Sequence, residues 1–351
     1  MKSGVIFAFL IITILLFSCR TAPEVITDQN LAVEQEEIDE DTALFLENLP
    51  KVGSELPVSV YNEVWVYVVA GRETALKPNI PVTDIGYFAA DVNLYGSLVD
   101  VPNRRKLPAF SGRVHLVAKC DGRSLTHFVL TSGSAERKAL VADLIAATKD
   151  YDGLQIDFEN VPQKDADTFL SFLADLKAGL GSKIFTVALP ARIRKNSDDV
   201  YSYEKIKPLV DRILVMAYDE HWSTSSPGPI ASLPWCRRVA NYCLETIGKE
   251  KLIMGIPFYG RAWGSPGHSQ AYVYTGIERV IKENNVSEIR HENGIPTFDY
   301  KATISVKVYY EDEYSLSTRM EMYRSMGVAS IGFWRLGQET PAIWELLSLG
   351  N

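Results

Sequence analysis

After Val58, short runs of β-branched and aromatic residues alternate with stretches whose apolar residues recur every three or four positions, the pattern of successive strand–helix units. Eight candidate strands lie near Val64–Ala70, Ile85–Ala89, Arg113–Cys120, Gly153–Glu159, Ile184–Pro190, Arg212–Tyr218, Leu252–Pro257 and Ser330–Trp334. Helical spacing is clear at Ala135–Lys149, Asp165–Leu180, Leu233–Ile247 and Ser315–Met326, with Ser134 and Asp165 placed as N-caps and Gly181 and Gly327 as stops. Eight such units over roughly 290 residues predict an α/β fold of the (β/α)8 barrel type, whose usual size is about 250 residues. A doubly wound open sheet is the competing arrangement. Gly264 to Tyr310 lacks clean helical spacing and contains the strand-like run Thr303–Tyr310, so it is assigned to a small β-rich insertion after the seventh strand.

The fourth candidate strand, within Tyr151–Asn160, carries acids on one face. Successive side chains of a strand point to opposite sides, so Leu154, Ile156 and Phe158 share one face and Gln155, Asp157 and Glu159 the other. On an isolated surface strand this alternation describes a solvated polar face. In a barrel the apolar set packs under the helices and the polar set points inside, with Glu159 at the C-terminal mouth and Asp157 one layer down. Neighbouring carboxylates in an enclosed site raise each other's cost of ionisation, which suits one of them to donate a proton near neutral pH.

The run Asp152-Gly-Leu-Gln155-Ile-Asp157-Phe-Glu159 resembles the D-x-x-D-x-D-x-E pattern of glycoside hydrolase family 18, the chitinase-like barrels. Three further segments agree in order and strand: Met216-Ala-Tyr-Asp219, Gly255-Ile-Pro-Phe-Tyr-Gly260 and Gly332-Phe-Trp334. The resemblance implies catalysis in which the substrate's own acetamido oxygen is the nucleophile, an exception to the two-carboxylate scheme. It implies Glu159 as the general acid and later base. Asp157 would bind the acetamido N–H and stabilise the oxazolinium, and the Tyr218 hydroxyl would serve the acetamido carbonyl side. Asp219 would bind a sugar hydroxyl, Met216 would pack beneath the ring, and Trp334 would form an apolar floor. The sequence departs from the pattern at Gln155, where the chitinases usually carry Asp. An amide there can donate and accept hydrogen bonds and is expected to orient Asp157. Asp152, of opposite parity, is expected to support the turn into the strand. Tyr67, Tyr259, Arg261 and Trp263 are further candidates for the cleft wall. The amide, together with Gly255–Trp263 and Gly228–Trp235, resembles the cell-wall and spore-type branch of the family, which favours peptidoglycan glycans.

The N-terminal residues Met1–Ser18 hold Lys2 and an apolar run from Val5 to Phe17 broken by Thr13, which fits an export signal and is short for a membrane span. The run ends Leu16-Phe-Ser-Cys19, which resembles a bacterial lipoprotein signal with Cys19 as the lipidated residue, implying a cell-envelope location on a membrane. Residues 19–57 are rich in Asp and Glu, with no Lys or Arg between Thr21 and Asn48, and read as a tether in which Leu44–Leu46 can form a short docked helix. A net charge of −8 with no basic patch argues against a nucleic-acid partner. Cys120, Cys236 and Cys243 read as small core hydrophobes, because Cys236 and Cys243 sit roughly 10 Å apart along one helix, too far to bridge. The scattered His residues lack zinc spacing and no nucleotide-binding glycine loop is present, so no metal or cofactor is expected. No obligate protein partner is inferred. The expected activity is retaining hydrolysis of β-linked N-acetylhexosamine glycans by residues 58–351. The rivals are a chitinase or endo-β-N-acetylglucosaminidase and a non-catalytic sugar-binding barrel.

Overall fold

The computed structural model describes residues 40–265, 267–301 and 304–350. Eight parallel strands form its centre: β1 (Glu63–Val69), β2 (Asp84–Val92), β3 (Arg113–Cys120), β4 (Gly153–Phe158), β5 (Ile184–Pro190), β6 (Arg212–Met216), β7 (Leu252–Pro257) and β8 (Ser330–Trp334). Each pairs with its neighbours in sequence order, and β1 pairs with both β2 and β8, so the sheet closes. This is the expected (β/α)8 barrel; the open sheet is excluded by the closing pair.

Parity along the strands separates two apolar environments. Leu154, Ile156 and Phe158 of β4 join the shell beneath the helices, where Phe158 stacks on Phe172 at 5.4 Å. The lumen is lined instead by Trp65, Tyr67, Val117, Ala188, Leu214 and Ile253. At the N-terminal end it is plugged by the buried pair Asp84–His115, 2.8 Å apart, with Trp65 stacked on the imidazole at 4.3 Å. Glycine makes room where aromatics must enter the lumen: a Cβ on Gly86 would stand 2.7 Å from the Tyr67 ring, and one on Gly255 3.0 Å from that of Tyr218.

Helices Ala135–Ala147, Ala166–Leu180, Leu233–Thr246 and Glu313–Ser325 cover the barrel close to the expected bounds. Ser134 caps the first, accepting from the Arg137 amide at 3.1 Å, and Gly181 and Gly327 take positive φ after the second and fourth. Asp165 stands at the N-cap of the second helix but does not cap it; both its oxygens lie 2.9 Å from His127 Nδ1. Cys120, Cys236 and Cys243 are buried and free, as expected of core hydrophobes.

One segment corrects the sequence reading and another bears it out. The insertion begins at Gly260, earlier than Gly264, and forms a five-stranded antiparallel sheet from Gly260–Ser265, His268–Tyr272, Arg290–Glu292, Ile295–Lys301 and Ser305–Tyr309. It also holds a helix, Tyr274–Glu283, whose Ile277 and Val280 bury against Phe298 and Val308. The insertion rejoins the barrel through a fully buried ion pair, Arg319 Nη1 to Glu311 Oε2 at 2.8 Å, with the same guanidinium donating to the Ala231 carbonyl. The described part of the acidic segment forms helix Glu40–Glu47, in which Phe45 and Leu46 pack on the core, in line with the docked-helix reading. The signal and lipidation readings, including Cys19, lie outside the described residues.

Candidate active site

The polar residues of β4 all face the lumen, in successive layers. Gln155, fully buried, accepts a hydrogen bond from the Tyr67 hydroxyl of β1 and donates to Thr186 Oγ1 of β5 at 3.2 Å. The expectation that Gln155 orients Asp157 is therefore corrected: its amide spans the lumen between β1 and β5, and makes no hydrogen bond to Asp157 among the described residues. Asp157, 9% exposed, has one carboxylate oxygen buried without any hydrogen-bond partner. Burial first, then the Glu159 and Asp121 charges, push its carboxyl up to about 8, with Lys119 opposing them. An acid held near its neutral form with an unused buried oxygen is a poor structural element and a ready acceptor for a ligand N–H.

Glu159 follows the last residue of β4, at the mouth, where its amide donates to the Cys120 carbonyl at 3.1 Å. The surrounding walls, then Asp121 and Asp219, raise its carboxyl above the ordinary Glu range, and Lys119 again opposes them. Tyr201 braces this turn: its hydroxyl donates to the Phe158 carbonyl at 2.9 Å and accepts from the Val161 amide at 3.0 Å.

β6 ends at Met216, two residues before the expected boundary, so Tyr218 and Asp219 stand on the loop above it, Asp219 with φ of +57°. Asp219 accepts from the Tyr259 hydroxyl at 2.5 Å, with Arg261 at 3.9 Å. Burial raises the Tyr218 phenol well above its ordinary value, so it remains a hydrogen-bond donor. Trp334 at the end of β8 is half-buried, its ring 5.2 Å from Tyr67 and edge-on to Phe88 at 4.8 Å, with Met216 in the same cluster. Glu159, Asp157, Tyr218, Asp219, Met216 and Trp334 thus share the C-terminal mouth, with Gln155 below them. Of the cleft-wall candidates, Tyr67, Tyr259 and Arg261 touch this set directly, and Trp263 donates to the Trp222 carbonyl at 3.3 Å. Asp152 lies at the opposite end of β4, bound by Arg104 at 2.8 Å and by the Val114 amide at 2.8 Å, in the turn-supporting role expected of it.

Sequence reading missed Lys119, Asp91 and Asp121. Lys119 Nζ lies 2.7 Å from Asp121 and 3.0 Å from Asp91, beside the acids. The signal was available: Lys119 has the lumen parity of Val117 and is the next-to-last residue of the third strand.

A cavity of about 410 Å³ opens at the other end of the barrel, lined by Glu63, Trp65, Arg113, Lys177, Asp211 and Arg212. Its charges pair among themselves, Lys177 with Asp211 at 2.6 Å and Arg113 and Arg212 with Glu63. Polar groups at the N-terminal face of such barrels serve stability, and chemistry sits at the other face. Among the described residues no group of three or more His, Cys, Asp or Glu is arranged to hold a metal ion.

A carboxylic acid at the mouth, a second acid with a free oxygen beneath it, a phenol donor and an indole are gathered at the C-terminal end of this barrel. Residues 117–339 match the family model described as glycosyl hydrolases family 18, and the chain belongs to that family. It is 32% identical over 239 residues to the putative sporulation-specific glycosylase YdhD of Bacillus subtilis (strain 168), covering 63% of this chain and 56% of that protein. A cortical fragment-lytic enzyme of Bacillus anthracis is 24% identical over 239 residues, with 64% and 55% covered. The chain therefore spans little more than half the length of these relatives. In fold it is similar to the spore cortex-lytic enzyme SleL of Bacillus cereus, with a TM-score of 0.71 at 18% identity over 83% of this chain and 76% of that one. A chitinase from Chromobacterium violaceum gives a TM-score of 0.71 at 22% identity, with 81% and 97% covered.

Proposed function

We propose that this barrel hydrolyses β-linked N-acetylhexosamine glycans with retention, by substrate-assisted catalysis, and that peptidoglycan is its substrate. The observation that carries the reading is the free buried oxygen of Asp157 beneath Glu159, facing a lumen floored by Trp334. An acetamido N–H of a sugar seated on the indole would satisfy that oxygen. Its carbonyl oxygen, polarised by the Tyr218 hydroxyl, then attacks the anomeric carbon while Glu159 protonates the leaving glycosidic oxygen. As the oxazolinium forms, Asp157 gains a cation to face, which favours its ionised form. Glu159, now a carboxylate, activates the water that opens the intermediate. Asp219 holds a sugar hydroxyl and Met216 packs beneath the ring.

The preference for peptidoglycan rests on the similarity to cortex-lytic and sporulation glycosylases and on the expected envelope location. Release of reducing ends from purified peptidoglycan, with chitin oligosaccharides in parallel, tests it. Activity on peptidoglycan is the expected result, and activity confined to chitin oligosaccharides would move the substrate outside the envelope. A sugar-binding role without turnover is the second reading, which the Gln155 departure keeps open and the joint presence of Glu159, Asp157 and Tyr218 opposes; binding of both glycans with no reducing ends from either would establish it.

The anchor belongs to the same proposal: Cys19 carries lipid, and the acidic segment holds the barrel near the membrane surface. Cys19→Ala is expected to move the protein from membrane to soluble fractions in cell fractionation. Retention in the membrane would remove the lipoprotein assignment.

A further inference from the structure

Asp157 stands in the lumen with Gln155 turned away from it, so its own strand supplies no countercharge. The neighbouring strand does. Lys119 of β3 is in register with Asp157 of β4 on one side and with Asp91 of β2 on the other, and Val117 and Gln155 one layer below are likewise in register and face the lumen. Three titratable residues, Asp91, Lys119 and Asp157, therefore share one layer at the mouth. Asp121 follows the end of β3, where its carboxylate meets Lys119 at 2.7 Å. There Glu159 runs alongside, tied to β3 by its 3.1 Å bond to the Cys120 carbonyl.

We propose that Lys119, clamped by Asp91 and Asp121, is a positioning residue that supplies Asp157 and Glu159 with the countercharge that the Gln155 amide does not. The inference rests on reading those two acids as the working pair of a glycan hydrolase. The clamp explains why the charge acts through space. With Nζ held at 3.0 Å from Asp91 and 2.7 Å from Asp121, Lys119 forms no ion pair with Asp157, whose oxygen stays free for a substrate N–H. A direct lysine–Asp157 pair would hold that acid ionised and occupied. A partly solvated ion triad adds little to stability, so its value lies in the field it exerts. Lys119 draws both acids down and Asp121 pushes both up, so the two act as opposed settings on one pair. The other groups facing the pair are Tyr67 from β1, Tyr201 after β5, and Tyr218 and Asp219 after β6.

The test is carbon-13 NMR titration of the full-length protein in detergent micelles, labelled at the Asp and Glu side-chain carboxyls. Asp157 and Glu159 are assigned by difference against Asp157→Asn and Glu159→Gln. In Lys119→Met both midpoints are expected to move to higher pH, in Asp121→Asn both to lower pH, and in Lys119→Arg neither. The bell-shaped pH profile of kcat/KM on purified peptidoglycan should move in the same directions. Midpoints that stay put in both variants, or move the same way in both, overturn the proposal, because a structural triad would change amplitude or melting temperature and not move the two variants oppositely. Asp121 has a side chain 59% exposed, so Asp121→Asn carries the test if Lys119→Met does not fold. The titration needs no turnover: moving midpoints with no reducing ends from any glycan would leave this inference standing and remove the hydrolase reading.

Discussion

Glu159→Gln is expected to lower kcat on the glycan by at least about a hundredfold, the lower end of a general-acid contribution, while leaving the dissociation constant for the sugar almost unchanged. The amide keeps the size and hydrogen-bonding reach of the acid and loses only the transferable proton. Glu159 makes no side-chain hydrogen bond within the described residues and stands exposed at the mouth, so the fold does not depend on it. Steady-state rates with purified peptidoglycan, paired with calorimetric binding of N-acetylglucosamine oligomers, separate the two effects. Comparable loss of both would mean that Glu159 binds substrate and is not its acid. The direction of its titration fixes the alkaline limb as well. A carboxyl held above the ordinary Glu range by the cleft walls, Asp121 and Asp219 keeps its proton to higher pH, and activity falls as pH rises past that point.

The arrangement just described was legible in the chain to different depths. Asp157 and Glu159 were readable because a strand has a period of two and a barrel has only one inside, so parity alone puts both acids in the lumen. Trp334 and Met216 came from the resemblance of their segments to the family's strand-end motifs, not from parity. The partners of Gln155 were not readable. Tyr67 and Thr186 come from strands that meet it only because the sheet closes and shears, and that geometry is not local to any segment. Lys119 falls between these cases: its parity was visible, but its alignment with Asp91 depends on a bulge between Phe88 and Ala90 that shifts β2 by a residue against β3. The helix Tyr274–Glu283 had a readable stripe, Ile277, Val280 and Ile281, and was passed over because strand-like segments surround it. The early start of the insertion at Gly260 turns on the absence of a side chain, since a Cβ there would lie 2.4 Å from Tyr310.

Asp157→Asn is expected to stabilise the protein at neutral pH while lowering kcat/KM by about a hundredfold or more, a pairing that separates a functional acid from a structural one. Burial holds the Asp157 carboxyl up at about 8, far above the value near 3.9 of an unfolded chain. Below about pH 4 both states carry the proton and the residue is neutral in its effect on stability. Between there and about pH 8 the unfolded chain gives up a proton that the folded one retains, so each unit of pH costs the fold up to about 1.4 kcal/mol. Above that window the cost is constant. Asn pays none of it, although its amide inherits the unsatisfied buried position, which returns on the order of 1–3 kcal/mol. The net gain at pH 7 is therefore on the order of 1–3 kcal/mol, and it should shrink as the pH is lowered and reverse in sign at about pH 5 to 6. Urea unfolding of Asp157→Asn and the parent chain at several pH values measures this difference. A variant whose destabilisation grows as the pH rises would mean that the ionised carboxylate holds the fold together, and the free oxygen beneath Glu159 would then have a structural partner in solution instead of a substrate.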